Sequence, residues 1–363
     1  MSETILLTTF YNCLNSDGDS DHHFFDGTVE MTQNPRTELQ VVDRVRMQLV
    51  SDGQAGDCPE PEPEPEPREL DALAEAYREG GRSALAAWTG DPREWLYWRL
   101  VTTTDATHDS LLHERVLPLL AALVQADTVD NWWFLRKPHG GPHLRLRLHP
   151  APRSDLAELT SALVGHFESW RQEGELLRCS RLVYEPEVSI FGGAGGMELA
   201  HELFWRDSVG YCRSMPVLSA RGFQFSAGVS AALLAGCFQG AGLDWFEQGD
   251  VWRIVGMLRA ATLPESVTEA DAKPVARLRS IFAGADAVVA EAASDLPELA
   301  EWHLAFKELG RGLADADGRG DLEIGLRRII AVHVVFHWNR MGFGFAQQAL
   351  LAQCARKATS WAA

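Results

Sequence analysis

Arg145 and Arg147 sit two residues apart in the segment HLRLRLH (143–149). In an extended chain that spacing puts both guanidinium groups on one face, about 7 Å apart, with Leu144, Leu146 and Leu148 on the other. Two such forks can grip a carboxylate or polarised carbonyls. Between Trp132 and Arg153 there are five basic residues and no acid. A solvated strand face with surface ion pairs is the competing reading, since exposed arginine is common. The pair Trp132-Trp133 offers a flat aromatic wall for a substrate, although most of the twelve tryptophans belong to a core.

Two further segments carry candidate chemistry. In 182–208, Tyr184 and Glu187 stand at a strand end just ahead of Gly192, Gly193, Gly195 and Gly196. Glycine there permits positive φ and close backbone approach, so a ligand can rest against the turn. A plain strand-to-helix turn is the alternative. The segment is neither GxGxxG nor GxxxxGK[ST], which argues against a nucleotide site. In HVVFHWNRMGFGF, His333 and His337 share a helix face at i, i+4, followed by Asn339 and Arg340. HExxH is absent and no third ligand stands out, so no metal is expected. These histidines serve either the core and caps or proton transfer in a pocket.

The elements that must position these residues follow from periodicity. Strands are predicted at Trp95–Thr103, Asn131–Arg136, His143–His149 and Ser180–Tyr184. Helices are predicted at Glu69–Trp88, Asp109–Gln125, Leu156–Gln172, Met197–Ser208, Arg221–Phe238, Trp245–Ala261, Val275–Ala293, Pro297–Leu309 and Leu326–Arg356. Three more β-like runs, 5–10, 24–32 and 38–50, form an N-terminal segment, residues 1–50. It is joined through the acidic Pro/Glu linker 51–67 to the body, 68–363. The fold class is α+β: a modest, mostly antiparallel sheet with many packed helices.

The chain has 363 residues and a formal charge of −18, of which −13 falls in residues 1–94. That balance argues against nucleic acid and anionic membranes as partners. No apolar run approaches a membrane span, and the N-terminus lacks a secretory signal. Six scattered cysteines without a CxxC pair suit a reduced, cytoplasmic protein.

Taken in order, FLRKPHGGPHLRLRLHP (134–150), YEPEVSIFGGAGGMELAHELFWRDS (184–208) and HVVFHWNRMGFG (333–344) resemble one family. It is the C-terminal elimination-type domain of lanthipeptide dehydratases, shared with stand-alone enzymes of thiopeptide biosynthesis. The resemblance covers roughly residues 95–355 and implies that fold. Glutamate-eliminating members share HLRLR, E-V-x-R-Y-G-G and a helix with H-x-x-x-N-R. The first motif is intact here. In the second, the arginine position holds Ile190, and in the third the histidine position holds Val335, while Asn339 and Arg340 are in place. Isoleucine and valine can neither bind glutamate's carboxylate nor move a proton.

That departure is what pyridine-forming members of the family would show. The resemblance therefore implies a thiopeptide macrocyclase that joins two dehydroalanines by a formal (4+2) aza-cycloaddition, then loses water and the leader peptide. Its partner would be a modified precursor peptide, a leader followed by a thiazole- and dehydroalanine-bearing core, with transient contact to other biosynthetic enzymes. The expected acid/base groups are Tyr184, Glu187, His333 and His337. Arg145, Arg147, Trp132, Trp133, Gly192, Gly193, Asn339 and Arg340 are the expected substrate contacts. The steps are net redox-neutral, so no cofactor is expected. A split glutamate eliminase and a non-catalytic leader-binding scaffold are the alternatives.

Overall fold

A computed structural model describes residues 95–104, 107–137, 141–259 and 272–360. The three N-terminal β-like runs, the Pro/Glu linker and the 69–88 helix lie outside the described residues. The chain divides into two units, Met1–Leu96 and Tyr97–Ala363. Only Trp95 and Leu96 of the first are described.

A four-stranded antiparallel sheet opens the second unit, in the order β2-β3-β1-β4. Its strands are β1 (Leu96–Val101), β2 (Val129–Lys137), β3 (His143–Pro150) and β4 (Arg178–Leu182). Between β1 and β2 runs helix α1, residues 107–125, with a π-helical stretch at Leu111–Val116. After β3 comes α2 (Leu156–Gln172), capped by Asp155, whose carboxylate accepts from the amides of Ala157 and Glu158. The alternation in β3 is realised: Leu144, Leu146 and Leu148 are buried, and Trp98 of β1 meets Phe167 of α2 edge-on at 5.2 Å.

The rest is helical. α3 (Ala194–Arg221) follows a 3₁₀ turn at Val188–Phe191, and then come α4 (Phe223–Gly240) and α5 (Trp245–Met257). They are followed by α6 (Ala272–Ala283), α7 (Ala285–Ala292), α8 (Leu299–Arg319), α9 (Leu326–Arg340) and α10 (Phe345–Thr359). Two long helices expected from periodicity are each split by glycine. Gly284 separates α6 from α7, and Gly342, at φ +74°, turns the chain between α9 and α10. Conversely, α3 and α8 run well past the ends that periodicity suggests.

α3 is the hinge of the assembly. It lies along the edge strand β2, where Ser208 Oγ accepts the Phe134 amide at 3.2 Å, so that edge is covered rather than left open. Pro216 interrupts its ladder by removing one N–H, which leaves the Cys212 carbonyl without its helical donor. His113 Nδ1 of α1 stands 3.1 Å from that carbonyl and takes the vacant place. Farther out, α4 and α8 pack with almost no side-chain spacer. A Cβ on Gly310 would lie 2.0 Å from the Cys237 carbonyl, and one on Gly240 2.0 Å from the Lys307 carbonyl.

Candidate active site

On the buried stripe of α3, Ala200, Leu203, Phe204, Asp207, Ser208 and Tyr211 recur at helical spacing, so a carboxylate occupies a core position. Asp207 is fully buried. Its carboxylate accepts from Arg340 Nη1 at 2.7 Å and Trp302 Nε1 at 2.9 Å, and from His337 Nδ1 at 2.9 Å. Burial works against the charged carboxylate. His337 and Arg340 outweigh it and hold Asp207 below the ordinary carboxylate range. The other imidazole nitrogen, His337 Nε2, meets Ser230 Oγ at 2.9 Å, and Trp338 Nε1 donates to the same oxygen. Both nitrogens of His337 are thus engaged inside the protein.

Arg340 is held by this knot yet only partly satisfied. Its guanidinium carbon lies 4.5 Å from the Phe204 ring centroid and 5.9 Å from that of Trp133. Its Nε and Nη2 meet no acceptor among the described residues. A buried donor without a partner costs about 1–3 kcal/mol, so a native site that keeps one asks for an explanation. The same holds for His333, about two turns earlier on α9. Both its ring nitrogens lack partners among the described residues, and its ring packs 5.0 Å from Phe191 and 5.9 Å from Phe204. Burial, then the Arg340 charge, lower its pKa to about 3, so it is a neutral imidazole.

Arg147 completes the set. In the β2–β3 register it is opposite Trp133, and its guanidinium carbon lies 4.1 Å from the Trp133 ring, 4.4 Å from Tyr97 and 4.9 Å from Tyr184. Three electron-rich faces compensate a buried cation without using its N–H groups. Nε and Nη1 of Arg147 meet no acceptor among the described residues. Burial draws its pKa down, but a guanidinium stays charged. Trp133 therefore bridges two buried cations whose free donors surround one aromatic cluster.

Tyr184 and His201 stand where this cluster becomes half-buried. Tyr184 Oη lies 2.8 Å from His201 Nε2. Burial raises the phenol's pKa, and burial followed by the Arg147 and His149 charges lowers that of His201 to about 4. The proton therefore rests on Tyr184, which donates to the imidazole. Glu187 is exposed, and its charge reaches both Arg147 and Tyr184.

Seven of the sequence candidates thus come together: Trp133, Arg147, Tyr184, Glu187, His333, His337 and Arg340. The others are placed differently. Arg145 shares the face of Arg147 by alternation, half-buried, with its Nε 3.5 Å from His143 Nε2. Trp132 points to the opposite face of β2 from Trp133 and is paired with Leu148. Asn339 Oδ1 accepts from Gln348 Nε2 at 2.9 Å, which ties α9 to α10. Gly192 and Gly193, at φ +88° and +97°, admit protein side chains: a Cβ would meet Ile329 at 2.4 Å and Glu323 at 2.7 Å. The glycine turn thereby anchors Phe191 against His333 rather than leaving open backbone. Val335 is buried, and Ile190 is half-buried.

Sequence reasoning passed over Asp207, His201, Phe204 and Tyr97. Asp207 did carry a signal, an acid at a core position of an apolar stripe; His201, on a half-buried face, carried none. Two open clefts, of about 400 and 330 Å³, lie elsewhere, around Asp250 and Arg327 and around Tyr211 and Met341. No three potential metal-ligating side chains cluster among the described residues, and no described helix is long and apolar enough to cross a membrane.

Comparison with known proteins is consistent with this architecture. The family model described as "Lantibiotic biosynthesis dehydratase C-term" matches residues 95–359. The tRNA-dependent lantibiotic dehydratase MibB from Microbispora sp. 107891 is 20% identical, with a TM-score of 0.58 over 74% of this chain and 28% of that one. TsrL is 16% identical, with a TM-score of 0.54 over 73% of this chain and 94% of that one. TbtD, a pyridine synthase from thiomuracin biosynthesis, is also 16% identical, with a TM-score of 0.50 over 73% and 97%. The chain thus spans little more than a quarter of MibB but nearly all of the two smaller proteins. No match was found among curated protein sequences.

Proposed function

The chain belongs to the lantibiotic dehydratase C-terminal family, and from that premise we propose that it forms the central pyridine macrocycle of a thiopeptide. Two dehydroalanines of a modified precursor peptide would join by formal (4+2) aza-cycloaddition, followed by loss of water and of the leader peptide. The observation that carries this reading is the buried donor set of Arg147, Arg340 and His333 arranged around Trp133 and Phe204. Such a set suits a flat, apolar guest with amide carbonyls. Ile190 and Val335 stand where glutamate-eliminating relatives would need an arginine and a histidine.

In this reading the rate comes first from bringing two dehydroalanines into contact, which offsets much of the entropic barrier. Arg147 donates to the carbonyl of the amide that must become its imidic tautomer, since its Nε and Nη1 meet no acceptor among the described residues. Tyr184 is placed beside Arg147 to exchange the proton. His337 acts through Asp207 and Arg340 by fixing the guanidinium, as its own nitrogens are engaged. Leader recognition and transient contact with partner enzymes belong to the same proposal. Every step is redox-neutral.

A glutamate eliminase is the second reading, favoured by the intact HLRLR segment and by Asn339 and Arg340 being in place. Mass spectrometry of a thiazole- and dehydroalanine-bearing precursor after incubation with the protein separates the two. Cyclisation gives a macrocycle and a detached leader from an already dehydrated precursor. Elimination instead releases free glutamate from a glutamylated one.

A further inference from the structure

One of the two open clefts, of about 330 Å³, adjoins the buried knot without sharing its side chains. Tyr211 of α3 lines it, and so does Met341, the residue after Arg340. Tyr211 stands four residues beyond Asp207 on α3, about 6 Å along the helix. Among the described residues that line the cleft, Asp109 is the charged one. We propose, resting on the functional reading above, that this cleft holds a lysine-type side chain of the peptide processed beside it. The ammonium would sit on Asp109, with the methylenes along the neighbouring apolar groups.

Asp109 Oδ1 accepts from Arg136 Nη2, and from the Tyr211 hydroxyl at 2.7 Å, while Oδ2 meets no donor among the described residues. The pairing fixes the start of α1 to β2 and α3, but it does not account for the exposure of the carboxylate. The Asp109 side chain keeps 38% of its surface open, whereas Arg136 keeps 10% and does not line the cleft. The guanidinium is engaged inside the protein: Nη2 also donates to Tyr211 Oη at 2.8 Å, and Nε donates to the Arg340 carbonyl at 3.0 Å. An entering cation therefore meets the negative member of the pair. The neutral polar side chains of the cleft, Ser219, Ser226 and Gln347, are each bonded within their own segment. Its apolar groups are Leu218, Met341 and the rings of Phe223 and Phe343, in edge contact at 5.2 Å. A lysine side chain matches both parts, because its stem packs on apolar surface while its ammonium keeps a polar partner. The openness of the cleft suits a side chain tethered to a long peptide, since free small ligands are mostly enclosed when bound.

The test binds model peptides to the full chain, isotopically labelled at its methionine methyl groups and followed by NMR. The signal of Met341, assigned through Met341→Leu, reports on the cleft. Acetyl-Gly-Lys-Gly-amide, its norleucine counterpart and its glutamate counterpart are titrated in turn. We expect a saturable shift of Met341 with the lysine peptide, at a Kd roughly tenfold below that of the norleucine peptide, the scale of one hydrogen bond to a charged group. The glutamate peptide should bind more weakly than either. Asp109→Asn keeps an acceptor for Arg136 and Tyr211 but loses the charge, so it should bring the lysine peptide to the norleucine value. The wild-type peptide series decides the matter even if that variant folds poorly. Equal affinity for the three peptides, tighter binding of glutamate, or no saturable shift at Met341 would overturn the proposal. Free butylammonium binding as tightly as the lysine peptide would overturn the peptide as the source of the cation. None of these readouts needs turnover, so a failed cyclisation assay overturns the functional reading alone and leaves the cleft to be judged by binding.

Discussion

Replacing Asp207 with asparagine probes the buried knot under the site. The carboxylate is fully buried and serves Arg340, His337 and Trp302 at once. Asparagine keeps the volume but removes the only counter-charge that, among the described residues, is paired with the fully buried Arg340 guanidinium. It also turns one acceptor into a donor facing other donors. Breaking a buried pair by removing one partner costs about 3–5 kcal/mol. For a unit of this size, each kcal/mol moves Tm by about 2–4 °C, so Asp207→Asn should melt roughly 6–20 °C below wild type. Calorimetry at neutral pH measures it. A double variant, Asp207→Asn with Arg340→Met, should lose less than the sum of the two singles, since no charge is then stranded.

The pH dependence gives an independent arm. The folded pKa of Asp207 lies below its unfolded value, so its contribution is complete above the unfolded value of about 4. It is lost as pH falls through the folded value. The gap between wild type and Asp207→Asn should therefore be widest near neutrality and narrow below about pH 4. An Asp207→Asn protein melting within about 2 °C of wild type would refute the buried-knot description, because that is less than 1 kcal/mol.

Three further outcomes follow. His333 is protonated near 6.5 when unfolded but only near 3 when folded, so acid down to about pH 3 favours the unfolded chain. His333→Phe should flatten the loss of stability between about pH 6 and 4 by roughly 1.4 kcal/mol per pH unit in denaturant titrations, and an unchanged slope would contradict a neutral buried imidazole. Gly310→Ala should cost at least 2–3 kcal/mol or so by urea unfolding, because its Cβ meets backbone of α4 at 2.0 Å. Gly318→Ala, in the same helix with open space around it, should be neutral or stabilising by up to about 1 kcal/mol, and equal effects would contradict the close crossing of α4 and α8. Arg147→Met keeps the stack on Trp133 and Tyr184 but removes the donors. It should fold normally and lower product formation at least about 100-fold, the loss typical of one oxyanion donor, whereas an unchanged rate would remove Arg147 from the site.

Apolar faces were readable from sequence. The leucine face of β3 follows from period-2 alternation, and the α2 range Leu156–Gln172 follows from helical spacing. The burial of charged side chains was not. Arg147 reads in isolation as half of an exposed pair. Its burial depends on Tyr97, Trp133 and Tyr184 arriving from three separate segments. The break between α9 and α10 depends on Gly342 adopting φ +74° beside Arg136, which periodicity across a glycine does not reveal. Six of the clustered residues, Arg147, Tyr184, Glu187, His333, His337 and Arg340, stand in the three segments of family resemblance, but how each is held was not legible there. His337 looked like a free acid/base group until Asp207 and Ser230 were found on its two nitrogens. Gly192 and Gly193 looked like a ligand cradle until Ile329 and Glu323 were found filling the space.

Under the proposed function, this scaffold joins two dehydroalanines and expels the leader by elimination rather than by hydrolysis. The C-terminal group of the released leader peptide tests that most directly. High-resolution mass spectrometry of the leader, after incubation of the protein with the modified precursor, should find a C-terminal amide in a one-to-one ratio with a pyridine-containing macrocycle. A leader ending in a carboxylic acid, or an intact precursor accompanied by free glutamate, would contradict it.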